Sequence, residues 1–260
     1  MRATAVATSS RQQKDNLCGP FWAARVLNHA GFDEWDGEPL DQDVVALRAG
    51  TALPEPDGEP SVPPGAVSKA QYRVKLPHIR AEESGTSPAG LVGVIEQASG
   101  GELRAVPIRG PWNAERVERL VGDAPGLGAR LIANVRTGKL WGSHPAPEQI
   151  LAELNGEATT GPAADWDVGH YIELAMLIRG PRGSFVVVRD SYPTLGWEGN
   201  HLQPPRVIAD ALLRGDGREG GVLAVLHQRG AGDVAALVRQ LGLEIGVWNN
   251  GSRELTHGDS

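Results

Sequence analysis

The stretch GHYIELAMLIRGPRGSFVVVRDSY, residues 169–192, carries the clearest β signal in the chain. Two apolar runs flank the turn-forming residues Gly-Pro-Arg-Gly, a pattern that predicts a β-hairpin. Several helical patterns come before it in the chain. This order, helices first and an antiparallel sheet later, predicts an α+β fold rather than the strand–helix alternation of a doubly wound sheet.

The hairpin also brings two polar residues into register. His170 opens its first strand and Asp190 closes its second. A three- or five-residue turn about Pro181 would place His170 and Asp190 on the same face. With residues 180–182 as the loop, Ile172 pairs with Asp190 and His170 lies one diagonal away, about 7–8 Å between backbones. A loop of two or four residues would place His170 and Asp190 on opposite faces.

Cys18 is the only cysteine, and it begins a predicted helix over residues 18–30. A thiolate is stabilised at a helix N-terminus, where backbone N–H groups and the helix dipole favour negative charge. Gly19 would let a substrate backbone approach closely, and Pro20 is tolerated in the first helical turn. Cys18 is therefore a candidate nucleophile, with a small buried apolar residue as the alternative.

A reactive cysteine needs an imidazole partner and a third polar group that orients the imidazole. His170 and Asp190 supply these groups, with His201 as a rival base. Gln12 lies six residues before Cys18 and could donate to the oxyanion of a tetrahedral intermediate, although the adjacent Gln13 could serve as well.

Gln12, the run Cys18-Gly19-Pro20, the run Gly169-His170-Tyr171 and the run Arg189-Asp190-Ser191 together resemble a papain-like cysteine peptidase. Within that clan they most resemble the bacteriocin-processing peptidases that remove double-glycine leaders. The separation of Cys18 and His170 by about 150 residues is close to that of papain-type enzymes.

The resemblance implies a role for each of these residues. Cys18 would be the nucleophile, His170 the general base and then acid, Asp190 the orienting group and Gln12 the oxyanion donor. It further implies hydrolysis through a thioester, in a role such as processing of a peptide precursor. A tryptophan shields the His–Asp pair from water in such enzymes, and Trp197 is a candidate for it.

The resemblance implies a single catalytic domain over residues 1–260. We expect a helical lobe at about 12–125, a β-rich lobe at about 126–245 and a tail at 246–260. The segment 50–65 is so rich in Pro, Gly and acids that we expect no regular structure in it. Further helices are expected over 40–49, 86–99, 113–121, 147–154, 205–213 and 233–241, and strands over 102–108, 131–135 and 221–227.

The resemblance implies a peptide or protein substrate, and composition argues against two other kinds of partner. The net charge is -7 without any Lys/Arg run, which argues against nucleic acid. No segment approaches the about 20 apolar residues of a membrane helix, and the N-terminus lacks a signal-peptide pattern, so we expect a cytoplasmic protein.

No cofactor or metal is expected. A single cysteine cannot form an intrachain disulfide or a cysteine cluster for zinc. Asp165, Asp167 and His170 cluster before the hairpin, but their spacing matches no established zinc or calcium pattern.

Two other functions remain open from the residues alone. Transglutaminases, arylamine acetyltransferases and peptide ligases use Cys, His and Asp in the same chain order, which allows transfer of the acyl group to an amine. A catalytically degenerate peptidase fold would instead bind a peptide without cutting it.

Overall fold

The computed structural model describes residues 11–56 and 61–254. The helices are α1 (Cys18–His29), α2 (Gln42–Arg48), α3 (Pro88–Ala98), α4 (Ala114–Asp123), α5 (Pro147–Leu154), α6 (Pro205–Leu213) and α7 (Ala231–Gln240). The strands are β1 (Glu34–Trp35), β2 (Glu38–Pro39), β3 (Leu53–Pro54), β4 (His78–Ile79), β5 (Leu103–Arg109), β6 (Arg130–Arg136), β7 (Gly169–Arg179), β8 (Ser184–Arg189), β9 (Asn200–Gln203), β10 (Gly221–His227) and β11 (Glu244–Ile245).

Seven of these strands form one antiparallel sheet in the order β11-β5-β10-β6-β7-β8-β9. The predicted α+β class is confirmed, and the predicted helices and strands are found to within about two residues. Local signals explain this agreement. Ser87 and Asn113 cap α3 and α4 by accepting hydrogen bonds from Gly90 N and Arg116 N.

Helices cover both faces of the sheet. One core lies between the sheet and helices α1 to α3, and it includes Trp22, Ile132 and Tyr171. The other lies between the sheet and helices α4 to α7, and it includes Ile172 and Phe185. The central strands β6 and β10 are therefore buried on both faces, which explains why their sequences are continuously apolar rather than alternating.

Three expectations are wrong in detail. Strand β5 lies within the predicted helical lobe, yet it pairs with β10 in the central sheet, so a boundary near residue 125 does not separate helices from strands. The predicted tail is partly core, since Trp248 is 3% exposed and Asn250 donates to Thr86 O. The segment 50–65 contains strand β3, which pairs in parallel with β4.

The hairpin reaches its predicted register by a different route. Its loop has four residues, 180–183, because Arg179 pairs with Ser184. A β-bulge between Leu174 and Met176 inserts one extra residue into β7 and shifts the register back. Glu173 consequently pairs with Arg189, the pairing that a three-residue loop would have produced.

No helix in the ranges 11–56 and 61–254 is both long enough and apolar enough to cross a membrane.

Candidate active site

Cys18 is the first residue of α1 and follows the buried Leu17, which supplies no side-chain cap. The amides of the first helical turn are therefore available to a negative charge. The side chain and charge of His170 and the backbone N–H groups of Tyr171 and Gly19 all lower the pKa of the Cys18 thiol. The thiol is thus surrounded by donors.

Gly19 has a different role from the one expected. A Cβ atom at this position would lie 3.0 Å from Leu91 Cδ1 and 3.2 Å from Tyr171 Cδ2. The absence of a side chain lets the start of α1 pack closely against α3 and β7. Gly19 therefore serves the placement of Cys18 rather than the approach of a substrate.

His170 and Asp190 form the second contact of the site. His170 Nε2 lies 3.2 Å from Asp190 Oδ1, and both side chains are 2% exposed. Because Nε2 faces Asp190, the other ring nitrogen, Nδ1, is the one left for Cys18. The structure therefore brings the three side chains together, with His170 between Cys18 and Asp190.

The charges in this chain stabilise one another. Burial by itself would raise the pKa of the Cys18 thiol, but the hydrogen bond and charge of His170 outweigh it and lower the pKa. Burial would likewise lower the pKa of His170, but the charge and hydrogen bond of Asp190 raise it to about 10, with Cys18 adding to the effect. These shifts favour a thiolate beside an imidazolium at neutral pH.

Asp190 is held by the loop that follows β8. Its Oδ1 accepts hydrogen bonds from Tyr192 N at 3.0 Å and from Ser191 Oγ at 3.4 Å, while its own amide donates to Gly199 O at 2.6 Å. The bond to Tyr192 N makes Asp190 the first residue of a local turn. The same oxygen therefore shapes the turn and faces His170.

Aromatic rings cover the His170–Asp190 pair. The Trp166 ring centroid lies 5.2 Å from that of His170 and 5.4 Å from that of Tyr192. Trp197, the predicted shield, is 54% exposed, so the structure assigns this place to Trp166 instead. Trp166 precedes the hairpin, and only the folded contact distinguishes it from other tryptophans.

Gln12 lies in the stretch before Cys18 and is 8% exposed. Its Nε2 donates to Val67 O at 2.7 Å, which orients the amide group. Its role as oxyanion donor stays a prediction. The Gln13 side chain has a different partner, because its Oε1 accepts a hydrogen bond from Ser191 Oγ.

Residues 67–72 lie against the stretch before Cys18 and bind it through hydrogen bonds. Besides the contact of Gln12 with Val67, Asp15 accepts hydrogen bonds from Ser68 Oγ and from Lys69 N. Tyr72 Oη donates to Asp15 O at 3.0 Å. Residues 67–72, which follow the Pro- and Gly-rich segment 50–65, are therefore tied by hydrogen bonds to the stretch before Cys18.

The remaining candidates lie outside the chain of contacts. His201 is 3% exposed, and its Nδ1 accepts from Gln203 Nε2 at 3.0 Å. Burial lowers the pKa of His201, so it is neutral rather than a base paired with a thiolate. Asp167 forms an ion pair with Arg136, and Asp165 accepts from Ser143 N, so neither joins His170.

Asn134 is a supporting residue that the sequence analysis missed. It lies in the middle of the apolar strand β6, where its Nδ2 donates to His170 O at 3.4 Å. Its Oδ1 accepts from the buried Arg214 at 3.2 Å and from Trp248 Nε1 at 3.4 Å. A single amide within an otherwise apolar strand was the signal that could have identified it.

No curated protein matches this chain. A family model does match it, over residues 2–249, which is nearly the whole length. The chain therefore belongs to DUF6885, a family of unknown function.

Proposed function

We propose that this protein is a papain-like cysteine peptidase that hydrolyses a peptide bond through a thioester on Cys18. The observation that carries the proposal is the contact chain from Cys18 to His170 and from His170 Nε2 to Asp190 Oδ1, 3.2 Å apart. A nucleophile helix packed against an antiparallel sheet that carries the base and the acid supports the papain-like arrangement. Thiolate catalysis requires a deprotonated cysteine, a protonated imidazole beside it and a third polar group that orients the imidazole.

The first half of the reaction forms the acyl-enzyme. The Cys18 thiolate attacks the carbonyl carbon, and a C–S bond forms as the carbonyl oxygen becomes an oxyanion. The backbone N–H of Cys18, at the start of α1, and the amide of Gln12 donate to that oxyanion. The His170 imidazolium then gives its proton to the peptide nitrogen as the C–N bond breaks.

The second half releases the product. Neutral His170 takes a proton from water, and the water oxygen attacks the thioester carbon. The C–S bond breaks, which restores the Cys18 thiolate beside a protonated His170. Asp190 retains its negative charge throughout and stabilises the imidazolium at Nε2.

Reactivity of Cys18 is the direct test. We expect iodoacetamide to label Cys18 in the folded protein faster than free cysteine at neutral pH, because the thiol pKa is lowered by His170. The variant His170→Ala should label slowly. Slow labelling of the unchanged, folded protein would contradict the proposal and favour a structural thiol.

Peptide turnover is the second test, measured by mass spectrometry on a mixture of synthetic peptides. We expect cleavage products that contain one added water, and none with the variant Cys18→Ala. Repeating the reaction with an added primary amine separates hydrolysis from transfer. Products that carry the amine in place of water would assign the thioester to an acyltransferase instead.

A further inference from the structure

A cleft of about 330 Å³ lies beside the triad, between α1 and the end of β8. Its walls include Arg11, Phe21, Trp22, Arg25, Arg189 and Asp190, and it is called the arginine cleft below. Because Asp190 lines it, the cleft adjoins the His170–Asp190 side of Cys18. Three guanidinium groups in so small a space give it the character of an anion site.

Arg25 has no anionic partner in the part of the chain that the structure describes. It is partly buried, and its guanidinium carbon lies 5.5 Å from the Phe21 ring centroid and 5.9 Å from that of Trp22. Among the described residues it makes neither a hydrogen bond nor an ion pair. Two aromatic rings therefore hold its guanidinium group in place.

The nearest acid does not neutralise Arg25. Glu173 already binds two other arginines, with Oε1 2.6 Å from Arg130 Nη2 and Oε2 2.8 Å from Arg189 Nη1. Burial lowers the pKa of Arg25, and while Glu173 raises it, the charges of Arg189 and Arg130 lower it further. A bound anion would relieve this repulsion.

The charges on the walls leave the arginine cleft positive. Three arginines and two acids, Asp190 and Glu198, line it, and Arg189 is already paired with Glu173, 2.8 Å away. The charge of Asp190 is already balanced by His170, 3.2 Å away. A carboxylate is the ligand that best fits a partly buried guanidinium, because its two oxygens match the fork of N–H donors.

The cleft lies on the helix face that carries the nucleophile. Cys18, Trp22 and Arg25 are spaced i, i+4 and i+7, so they share one face of α1. Cys18 and Arg25 are therefore about 10 Å apart along the helix axis, which is the rise of seven helical residues. An extended peptide covers that length in about three residues.

We propose that the arginine cleft binds an acidic side chain of the peptide substrate, about three residues from the scissile bond. This assignment rests on the proposed peptidase function, since it takes the ligand to be a peptide. Arg25 supplies the paired donors for the carboxylate, and Arg11 adds positive charge at the exposed edge.

Binding to the full chain with Cys18→Ala tests the assignment without any turnover. Isothermal titration calorimetry would compare N-acetyl-triglutamyl amide with N-acetyl-triglutaminyl amide. We expect the glutamate peptide to bind about tenfold more tightly, as one charge-assisted contact provides. Adding Arg25→Gln should reduce the preference to about twofold or less.

Two further variants control for charge and folding. Arg179→Gln removes the same charge from an arginine that is 61% exposed, and it should keep the tenfold preference. Arg25→Lys retains the charge but not the paired donors, and it should show an intermediate preference.

Three results would overturn the assignment. They are equal or undetectable binding of the two peptides, a preference that persists in Arg25→Gln, and displacement of the glutamate peptide by an equal concentration of inorganic phosphate. Iodoacetamide labelling of the unchanged protein reports on the proposed function separately. The failure of one proposal is therefore distinguishable from the failure of the other.

Discussion

Replacing Asp190 with asparagine removes one negative charge from the triad while it keeps the shape of the side chain. The asparagine oxygen can still accept from Tyr192 N and preserve the turn after β8. The imidazolium of His170 loses its counter-charge. We therefore expect the pKa of His170 to fall and that of the Cys18 thiol to rise.

The size of the change follows from the separation of the two charges. His170 Nε2 lies 3.2 Å from Asp190 Oδ1, and the centres of the delocalised charges are about 4–5 Å apart. At an effective dielectric constant of about 20, their attraction is about 3–4 kcal/mol, or about 2–3 pKa units. The pKa of His170 should therefore fall from about 10 towards the neutral range.

The assay is the rate of iodoacetamide labelling of Cys18 as a function of pH. The unchanged protein should label rapidly at pH 6, whereas Asp190→Asn should label about 100-fold more slowly there. Its rate should recover only towards the pKa of an ordinary thiol, about 8.5. Peptide cleavage at pH 7 should fall by about 10²–10³ in kcat/KM.

Asp210→Asn is the matched control, because Asp210 is an exposed acid on α6. It should label like the unchanged protein at every pH. If Asp190→Asn also keeps the labelling profile of the unchanged protein, Asp190 does not sustain the imidazolium, and the electrostatic reasoning above is wrong.

Three other predictions concern pH, the aromatic cover and the oxyanion donor. Because the pKa of His170 is raised from 6.5 to about 10, its stabilising contribution is complete below about pH 6.5 and is lost as pH rises through 10. The lowered pKa of Cys18 contributes to stability in the opposite sense, so the comparison is made in the Cys18→Ala background. Adding His170→Gln to that background should give a smaller loss of stability between pH 6 and pH 9 in urea unfolding, and equal slopes would contradict the shift. Trp166→Ala should lower the free energy of unfolding by about 1–3 kcal/mol, and it should lower the pKa of His170 by admitting water. The same change at the exposed Trp197 should lower the free energy of unfolding by about 0.5 kcal/mol or less. Urea unfolding measures the stabilities and NMR titration measures the pKa, and equal losses of stability would refute the assignment of the cover to Trp166. Gln12→Ala should lower kcat by about 10²–10³ with little change in KM, and an unchanged kcat in steady-state cleavage would exclude Gln12 as oxyanion donor.

Short-range patterns account for the agreement between predicted and observed secondary structure. Helix caps act within about four residues, as the bonds of Ser87 and Asn113 illustrate, so they can be recognised in the sequence. Strands β6 and β10 were legible as continuous apolar runs. The short strands β9 and β11 were missed, because four and two residues carry too little pattern.

The candidate triad was predictable because the order and residue types of Cys18, His170 and Asp190 are visible in the sequence. Their register was predicted by an incorrect route. A four-residue loop alone would have placed His170 and Asp190 on opposite faces, and the bulge in β7 restores the expected pairing. A bulge depends on how two strands pair, and the residues around Leu174 carry no pattern that predicts one.

The sequence by itself determined the fold class, the helix that begins at Cys18 and the residue types that meet at the candidate site, because these depend on periodicity, capping and residue chemistry. Only the tertiary structure decided that Trp166 covers His170, that Val67 holds Gln12 and that Arg25 lacks an anionic partner among the described residues. Each of these facts joins segments that are distant along the chain. Their proximity follows from packing on both faces of one sheet, which local sequence does not encode.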